Sequence, residues 1–599
     1  MKTNVGHDRL YATLCKVLDA LRHEAPLTST AYHPAAGNQD ALIQARSRAL
    51  LHLFLKARFG LVDFLTREKY VTDGPHDGGI DAFYIDEKSK QIYVIQSKFR
   101  ANPKNFVSVN MSVDDLLKMD VGRILKGNKQ SENGDAYNDG ICKLLQPSIR
   151  KLSDIASYTV NVVLLGNAKQ FTEAQLKKLV EGYPVEQFPH DRCYKELLFP
   201  VVNGTYFADP NLSIEINLSN LKGDTNLDYD VKAETVRANI KLLFVPTAEI
   251  GRIMSTYKNS LLKYNPRSFL ELDKNPVNQA IRESITASKA NEFALFNNGV
   301  TMLSDRTGVS SDTAQQGKAQ IVLRNPQLVN GGQTAYTLGR VYEECKSSHD
   351  FTVFRGKEVL LRVITFVDQG KKPTPVAQKL ALIGEISKAS NSQTKIEESD
   401  RRSNDPIQLD LQEAFFSKFG LYYERKRGEF ADGIREKYIS GDLIVDRDRL
   451  IRVCLACEYR INQARASISK YFDATSLAAL FDVKLVSKYA MAYEAFGILE
   501  SKRKEKPQEK GDRYHVAQYG QALRYGLYAV VASAVNTHKT ADESAEERIS
   551  RVLSHWRDFE IWVVKKTSNA VYGSSGSFDF VNYYKGSTIN SDVREYAFA

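Results

Sequence analysis

Asp77-Gly78-Gly79-Ile80-Asp81, followed fifteen residues after Asp81 by Gln96-Ser97-Lys98, is the stretch on which the reading of this chain turns. Ile80 to Asp86 and Gln91 to Phe99 are rich in Ile, Tyr, Phe and Val, which predicts two strands. The polar link Glu87-Lys88-Ser89-Lys90 has a length common in hairpins. If Asp86 pairs with Gln91 across it, Asp81 falls opposite Gln96, and opposite residues of an antiparallel pair share a face. Gln96 and Lys98, two apart in one strand, also share a face. Asp81, Gln96 and Lys98 are therefore expected to converge on one patch of sheet, with Tyr93, Ile95 and Phe99 on the opposite, core-facing side.

Such a patch has the parts of a metal-dependent phosphodiesterase. Mg²⁺ or Mn²⁺ prefers oxygen ligands, which Asp81, Asp77 and the Gln96 amide carbonyl could offer. Lys98 could orient the attacking water and offset charge on the phosphate. The residues resemble the Mrr-like branch of the PD-(D/E)XK nucleases, in which Gln replaces the acidic residue before x-Lys. The resemblance implies an αβββαβ domain, Asp81, Gln96 and Lys98 as catalytic residues, and Asp81, Gln96 and Asp77 as metal ligands. It also implies a DNA substrate in preference to RNA. That family often places a ligating Glu on the preceding helix, and none is evident in this sequence. On the residues alone, the alternative is an ordinary hairpin with a Gly-Gly turn and a surface Gln and Lys.

The flanking segments fit a domain over residues 1–195. Leu42, Ala45, Leu50, Leu51, Phe54 and Leu55 predict a helical apolar face, stopped at Arg58-Phe59-Gly60. Tyr158 to Leu165 reads as a buried strand and Thr172 to Val180 as a helix. With 599 residues the chain is too long for one core. No apolar run reaches membrane-spanning length, and the N-terminus does not read as a signal peptide. Cys454 and Cys457 form a lone C-x-x-C in a helical pattern, better read as core than as a zinc site. The expected setting is cytoplasmic, without membrane attachment and with a homo-oligomer as one possible state. A net charge of +10 is compatible with nucleic acid without requiring it.

Residues 196–440 read as a second, α+β domain. Tyr206 to Asn220 predicts strand, and Val231 to Leu262 predicts mainly helix. Phe293 to Leu303, through Asn297-Asn298-Gly299, predicts strand, Asn-Gly turn and strand. Pro326 to Thr334, through Asn330-Gly331-Gly332-Gln333-Thr334, predicts strand, glycine turn and helix. That last geometry aims backbone N–H groups and a positive dipole end at one place, which suits phosphate, although a capped tight turn is the simpler reading. Tyr422, Tyr423, Arg425, Lys426 and Arg427 mix rings with cations. They predict either a phosphate clamp near the Gly-Gly-Gln-Thr turn or a solvated strand edge.

Taken in order, Asn265-Pro266-Arg267, Asn297-Asn298-Gly299-x-Thr301, Val329 to Thr334, Ala389-Ser390-Asn391-Ser392-Gln393 and Tyr423 to Glu429 form a series similar to the AIPR family, named for abortive infection and phage resistance. The resemblance spans roughly residues 215–440 and implies an antiviral defence protein. A weaker similarity to DGQ-containing ParB-like domains suggests that ATP or another nucleotide binds Asn298, Gly299, Asn330, Gly331, Gly332, Gln333, Thr334, Asn391, Gln393, Arg425 and Arg427. Residues 441–599 read as helical, with Ile549, Val552, Leu553, Trp556, Phe559 and Val563 on one stripe. The expected fold is thus α/β and multidomain: a restriction-endonuclease-like αβββαβ domain, an α+β AIPR domain and a helical C-terminal domain. The expected function is a metal-dependent nuclease of abortive infection, gated through the AIPR domain by a phage-derived or nucleotide trigger. The alternatives are a nucleotide sensor or NTPase, and a DNA-binding scaffold without cleavage of its own.

Overall fold

The computed structural model describes residues 3–598 apart from 88, 207–212, 219–226, 233–236, 264, 266–275, 288–289, 311–318, 368–384, 387–401, 507–510, 538–542, 568–571 and 575–576. The chain forms two compact units. One comprises residues 7–393 with 428–440; the other comprises 1–6, 394–427 and 441–599.

The first unit begins with helices α1 (Thr3–His23) and α2 (Gln39–Phe59). The Asn38 side chain accepts from the Ala41 N–H and starts α2, and Gly60, at φ 66°, closes it by donating to the Leu55 and Lys56 carbonyls. Four strands follow: β1 (Ala82–Asp86), β2 (Gln91–Ser97), β3 (Thr159–Leu165) and β4 (Val185–Phe188). They form one sheet in the order β1-β2-β3-β4. β1 and β2 are antiparallel with Asp86 opposite Gln91, the register expected from the loop length, whereas β2–β3 and β3–β4 are parallel. Helix α3 (Val113–Leu117) lies in the connection from β2 to β3, and α4 (Glu173–Leu179) joins β3 to β4.

Both faces of this sheet are covered, which corrects the expectation of a single core face. Ile95 and Phe99 are buried, but so are Ile92 and Val94 on the other side, packed with Leu116, Met119 and Ile124. Tyr93 is only half-buried, and its ring meets Phe59 of α2, which stacks on Tyr84 at 4.0 Å. Parallel pairing requires crossovers that lay helices on the sheet, so alternation no longer marks one side as solvent.

Later in the same unit come β5 (Ser213–Leu218), β6 (Leu227–Lys232), β7 (Arg237–Pro246), α5 (Thr247–Tyr257), β8 (Val300–Ser304), β9 (Arg306–Ser310), β10 (Ala319–Arg324), β11 (Gln327–Asn330), α6 (Gly332–Ser348) and β12 (Glu358–Val367). They make a three-stranded sheet, β5-β10-β9, and a five-stranded sheet, β11-β8-β12-β7-β6. Ile250, Ile253, Met254, Leu338 and Val341 of α5 and α6 share a core with Val245, Leu361 and Val363 of the larger sheet. Two local expectations fail here. Arg237–Pro246 is strand, not helix, because ten residues pair with β12; the short apolar run Leu242 to Val245 does not by itself distinguish the two states. No hairpin forms at Asn297-Asn298-Gly299. Phe293–Phe296 is a helical turn, and β8 pairs in parallel with β12 and antiparallel with β11.

The second unit is mainly helical, as its patterning predicts. Val530, Val531, Ile549, Val552, Trp556 and Phe559 are buried together with Cys454 and Cys457, whose thiols are core residues. A two-stranded parallel pair, β13 (Tyr422–Glu424) with β14 (Ile444–Asp446), also belongs to it. Among the described residues, no helix is long and apolar enough to cross a membrane.

Candidate active site

The Asp77-Gly78-Gly79 turn is built by local hydrogen bonds and steric need. The Asp77 carboxylate accepts from the Gly79 N–H at 2.9 Å and the Gly74 N–H at 3.2 Å. Gly78 and Gly79 have φ of 61° and 72°, and a Cβ on Gly79 would lie 2.9 Å from the Lys118 carbonyl oxygen, so glycine is needed on both counts. The turn delivers Asp81 to the start of β1, where its carboxylate accepts the Ser97 N–H of β2 at 2.6 Å.

Asp81 thus stands beside Gln96 and Lys98, and all three line a cavity of about 310 Å³ with Ser47, Asp73 and Asp77. Carboxylate oxygens of Asp73, Asp77 and Asp81 lie within 4.8 Å of one another. Crowding shows in their acidity. Burial, then the neighbouring Asp77 charge, pushes the Asp81 carboxyl up to about 8, and burial raises Asp77 as well. The Gln96 side chain is buried, with its Nε2 donating to the Asp115 carbonyl at 2.8 Å. This bond fixes which end is the oxygen, and Oε1 is left without a hydrogen-bond partner. An orphaned buried acceptor costs stability unless something occupies it.

This donor set fits Mg²⁺ or Mn²⁺: clustered carboxylates, one free amide oxygen and room for waters. The Lys98 ammonium lies 3.2 Å from Asp115 at the edge of the same cavity. Ser112 and Asp115 form the capping box that starts α3, so one short helix holds Gln96 by its backbone and Lys98 by a side chain.

Asp73 was not among the expected ligands. It stands just ahead of the turn, and Arg48 of α2 grips its carboxylate at 2.7 Å and its carbonyl at 2.8 Å. The Asp73-Gly74 dipeptide four residues before Asp77 is the signal that could have suggested it. Helix α2 carries no Glu and contributes Ser47 and Arg48 instead.

The central motifs behave differently. Strand β11, Gly331 at φ 77° and helix α6 give the expected strand, glycine turn and helix. Asn297 donates to the Thr334 hydroxyl at 3.1 Å and accepts the Gly299 N–H at 3.0 Å, while Asn265 donates to the Leu328 carbonyl. The Asn265, Asn297–Gly299 and Asn330–Thr334 motifs therefore meet around one helix start. A Cβ on Gly331 would lie 2.6 Å from the Gly299 oxygen, and one on Gly299 would lie 2.6 Å from the Leu360 oxygen. Close packing accounts for both glycines. Asn298 is exposed, Gly332 and Gln333 are half-buried beside the turn, and Asn391 and Gln393 lie outside the described residues.

The aromatic–basic cluster needs correction. Tyr422 and Tyr423 are fully buried, so they are neither a stacking platform nor a solvated edge. Strand β13 pairs with β14, and Tyr423 stacks on Phe415. Arg425 is buried and donates to Gln412 at 2.9 Å and the Ser403 carbonyl at 3.0 Å within its own unit. Arg427 is exposed.

A family model described as AIPR protein matches residues 262–569, just over half of the chain. The carboxylate cluster lies ahead of that segment. No curated protein and no solved structure matches the chain.

Proposed function

Because the chain belongs to the AIPR family, we propose that it serves in antiviral defence as a metal-dependent phosphodiesterase, cutting nucleic acid at the Asp81 site. The observation that carries the reading is the convergence of three carboxylates, an amide oxygen with no partner and a lysine on one cavity. Asp73, Asp77, Asp81 and Gln96 would hold Mg²⁺ or Mn²⁺. When bound, such a cation supplies Lewis-acid polarisation of the phosphate and a more acidic water. Asp81 would give up its proton to serve as a ligand, Arg48 holds Asp73 in place, and Lys98 would offset the negative charge on the phosphate oxygens as water adds to phosphorus and the P–O bond to the leaving oxygen breaks. The N-terminal four-stranded sheet would then be a nuclease domain of the restriction-endonuclease-like kind, and its Mrr-like resemblance favours DNA over RNA.

Gating by the AIPR region belongs to the same proposal: an abortive-infection nuclease must stay idle until a trigger favours its active conformation. A nucleotide at Gly331–Thr334 is the second reading. The meeting of three motifs at the start of α6 supports it, whereas the packing that already explains Gly299 and Gly331 weighs against it. The test is cleavage of plasmid and RNA by wild type and Asp81→Ala, in Mg²⁺, Mn²⁺ or EDTA, with and without ATP or GTP. Cation-dependent cutting that Asp81→Ala abolishes supports the reading. Cutting that persists in Asp81→Ala or in EDTA rejects it.

A further inference from the structure

A second cavity in the first unit, about 300 Å³, is walled by Lys56 of α2, Tyr206, Lys258 at the end of α5, Glu343 and Lys346 of α6, and Asp432. Its four acids each meet an arginine: Glu24 pairs with Arg67, Glu343 with Arg340 at 2.6 Å, and Asp432 and Glu436 share Arg435 at 2.8 and 3.1 Å. The lysines are held more loosely. Lys56 is 3.4 Å from Glu24, and Lys258 is 4.0 Å from Asp432. Lys56 is buried, and Lys346 is exposed at the rim.

Lys258 also has an unusual backbone, φ 44° and ψ −132°, between the last turn of α5 and the turn that follows. A side chain larger than glycine is strained there, and strain of this kind tends to gather where a ligand is held. Val62, Val201, Tyr206 and Tyr438 add apolar and aromatic surface to the lining, beside Ser255 and Ser347. Three lysines beside arginine-paired acids, with rings in the same lining and a space of this size, suit a small-ligand pocket.

We propose that this cavity binds a small phosphate-bearing anion, with Lys56, Lys258 and Lys346 as its cationic contacts. Ammonium groups suit phosphate as point charges, and burial makes the Lys56 contact stronger than it would be in water. Burial depresses the Lys56 ammonium, and an anion beside it would act in the opposite direction.

The position has a consequence for the candidate active site. Lys56 and Arg48 lie on the same helix, two turns and about 12 Å apart at the ordinary rise. Arg48 holds Asp73, so an anion drawing on Lys56 acts on the helix that positions a metal carboxylate. This consequence rests on the nuclease reading; the binding does not.

The experiment is isothermal titration of the full chain with inorganic phosphate and, separately, with AMP. Saturable binding of at least one probe is expected. Lys258→Met and Lys346→Glu should each weaken it about tenfold or more, and Asp81→Asn should leave it unchanged. Lys346 sits at the exposed rim, so its replacement tests the site even if Lys258→Met does not fold. Equal affinity for both probes assigns the site to phosphate itself, and tighter AMP binding assigns it to a nucleotide. Absence of saturable binding at millimolar concentration of either probe, or affinity that survives both lysine changes, overturns the proposal. Cleavage is not read, so a failed nuclease assay leaves this result standing.

Discussion

Replacing Asp81 by Asn should make the metal-free protein more stable while destroying its cation response. The Asp81 carboxyl, pushed from 3.8 to about 8, binds its proton more tightly in the folded chain than in the unfolded one. A carboxyl raised in this way favours the folded state fully below its unfolded value. The advantage is lost progressively as pH climbs from about 4 through about 8. At pH 7 the loss amounts to an upper bound of about 4 kcal/mol, and sharing of the proton with Asp77 makes it smaller. Asn removes the ionisation yet keeps an oxygen for the Ser97 N–H. In EDTA at pH 7, Asp81→Asn should therefore melt higher, by up to roughly 5 °C for the large unit that carries it. Mg²⁺ works against that ranking. A cation present at about 100 times its Kd stabilises wild type by about 2.7 kcal/mol and should do little for the variant. The assay is differential scanning calorimetry of both proteins in EDTA and in a Mg²⁺ series. A variant that melts lower in EDTA, or that gains as much from Mg²⁺ as wild type does, refutes the charge-crowding argument.

Lys98→Met should cut cleavage by about 10²-fold or more while leaving the Mg²⁺-induced rise in Tm intact, because the lysine offsets charge in the reaction but is not a ligand; loss of the Mg²⁺ response instead would place it in the metal shell. Gly331→Ala combines a φ of 77° with a Cβ pressed against the Gly299 oxygen, and should destabilise by about 1–3 kcal/mol in chemical denaturation. A neutral outcome would mean that β11 and α6 shift apart freely. In the second unit, burial raises the Glu560 carboxyl from 4.5 to about 7. Its favourable contribution is present below about pH 4.5 and is lost as pH rises through 7. Glu560→Gln keeps an acceptor for the Tyr584 hydroxyl, so it should lie within about 1 kcal/mol of wild type at pH 5 and exceed it by up to about 3 kcal/mol at pH 8. Urea unfolding followed by tryptophan fluorescence checks this, since both tryptophans, Trp556 and Trp562, lie in that unit; a gain of the same size at pH 5 would show that the effect is not ionisation.

Several features were legible because the forces behind them act over a few residues. The four-residue loop set Asp86 against Gln91 and brought Asp81, Gln96 and Lys98 to one place. Gly60 ended α2 as a left-handed cap, and Thr172 started α4 through its capping box. Gly331 turned strand into helix because only glycine takes that backbone conformation without strain. The motif series also pointed to the family that residues 262–569 match.

Other features depended on partners far along the chain. Asp73 became a member of the carboxylate cluster because Arg48, on a helix, holds it there. Arg237–Pro246 became strand because residues more than a hundred positions away supply its hydrogen bonds, and β8 found β12 rather than a hairpin mate. Tyr422 and Tyr423 went inside because Phe415, Phe416 and β14 cover them. By itself the sequence determined where many elements start and stop, the register of the first hairpin and the meeting of Asp81, Gln96 and Lys98 on one patch. Tertiary structure alone decided which third carboxylate joins them, that Gln96 keeps one bare oxygen and that three lysines share a cavity, because burial and long-range pairing depend on what the rest of the chain brings to each side.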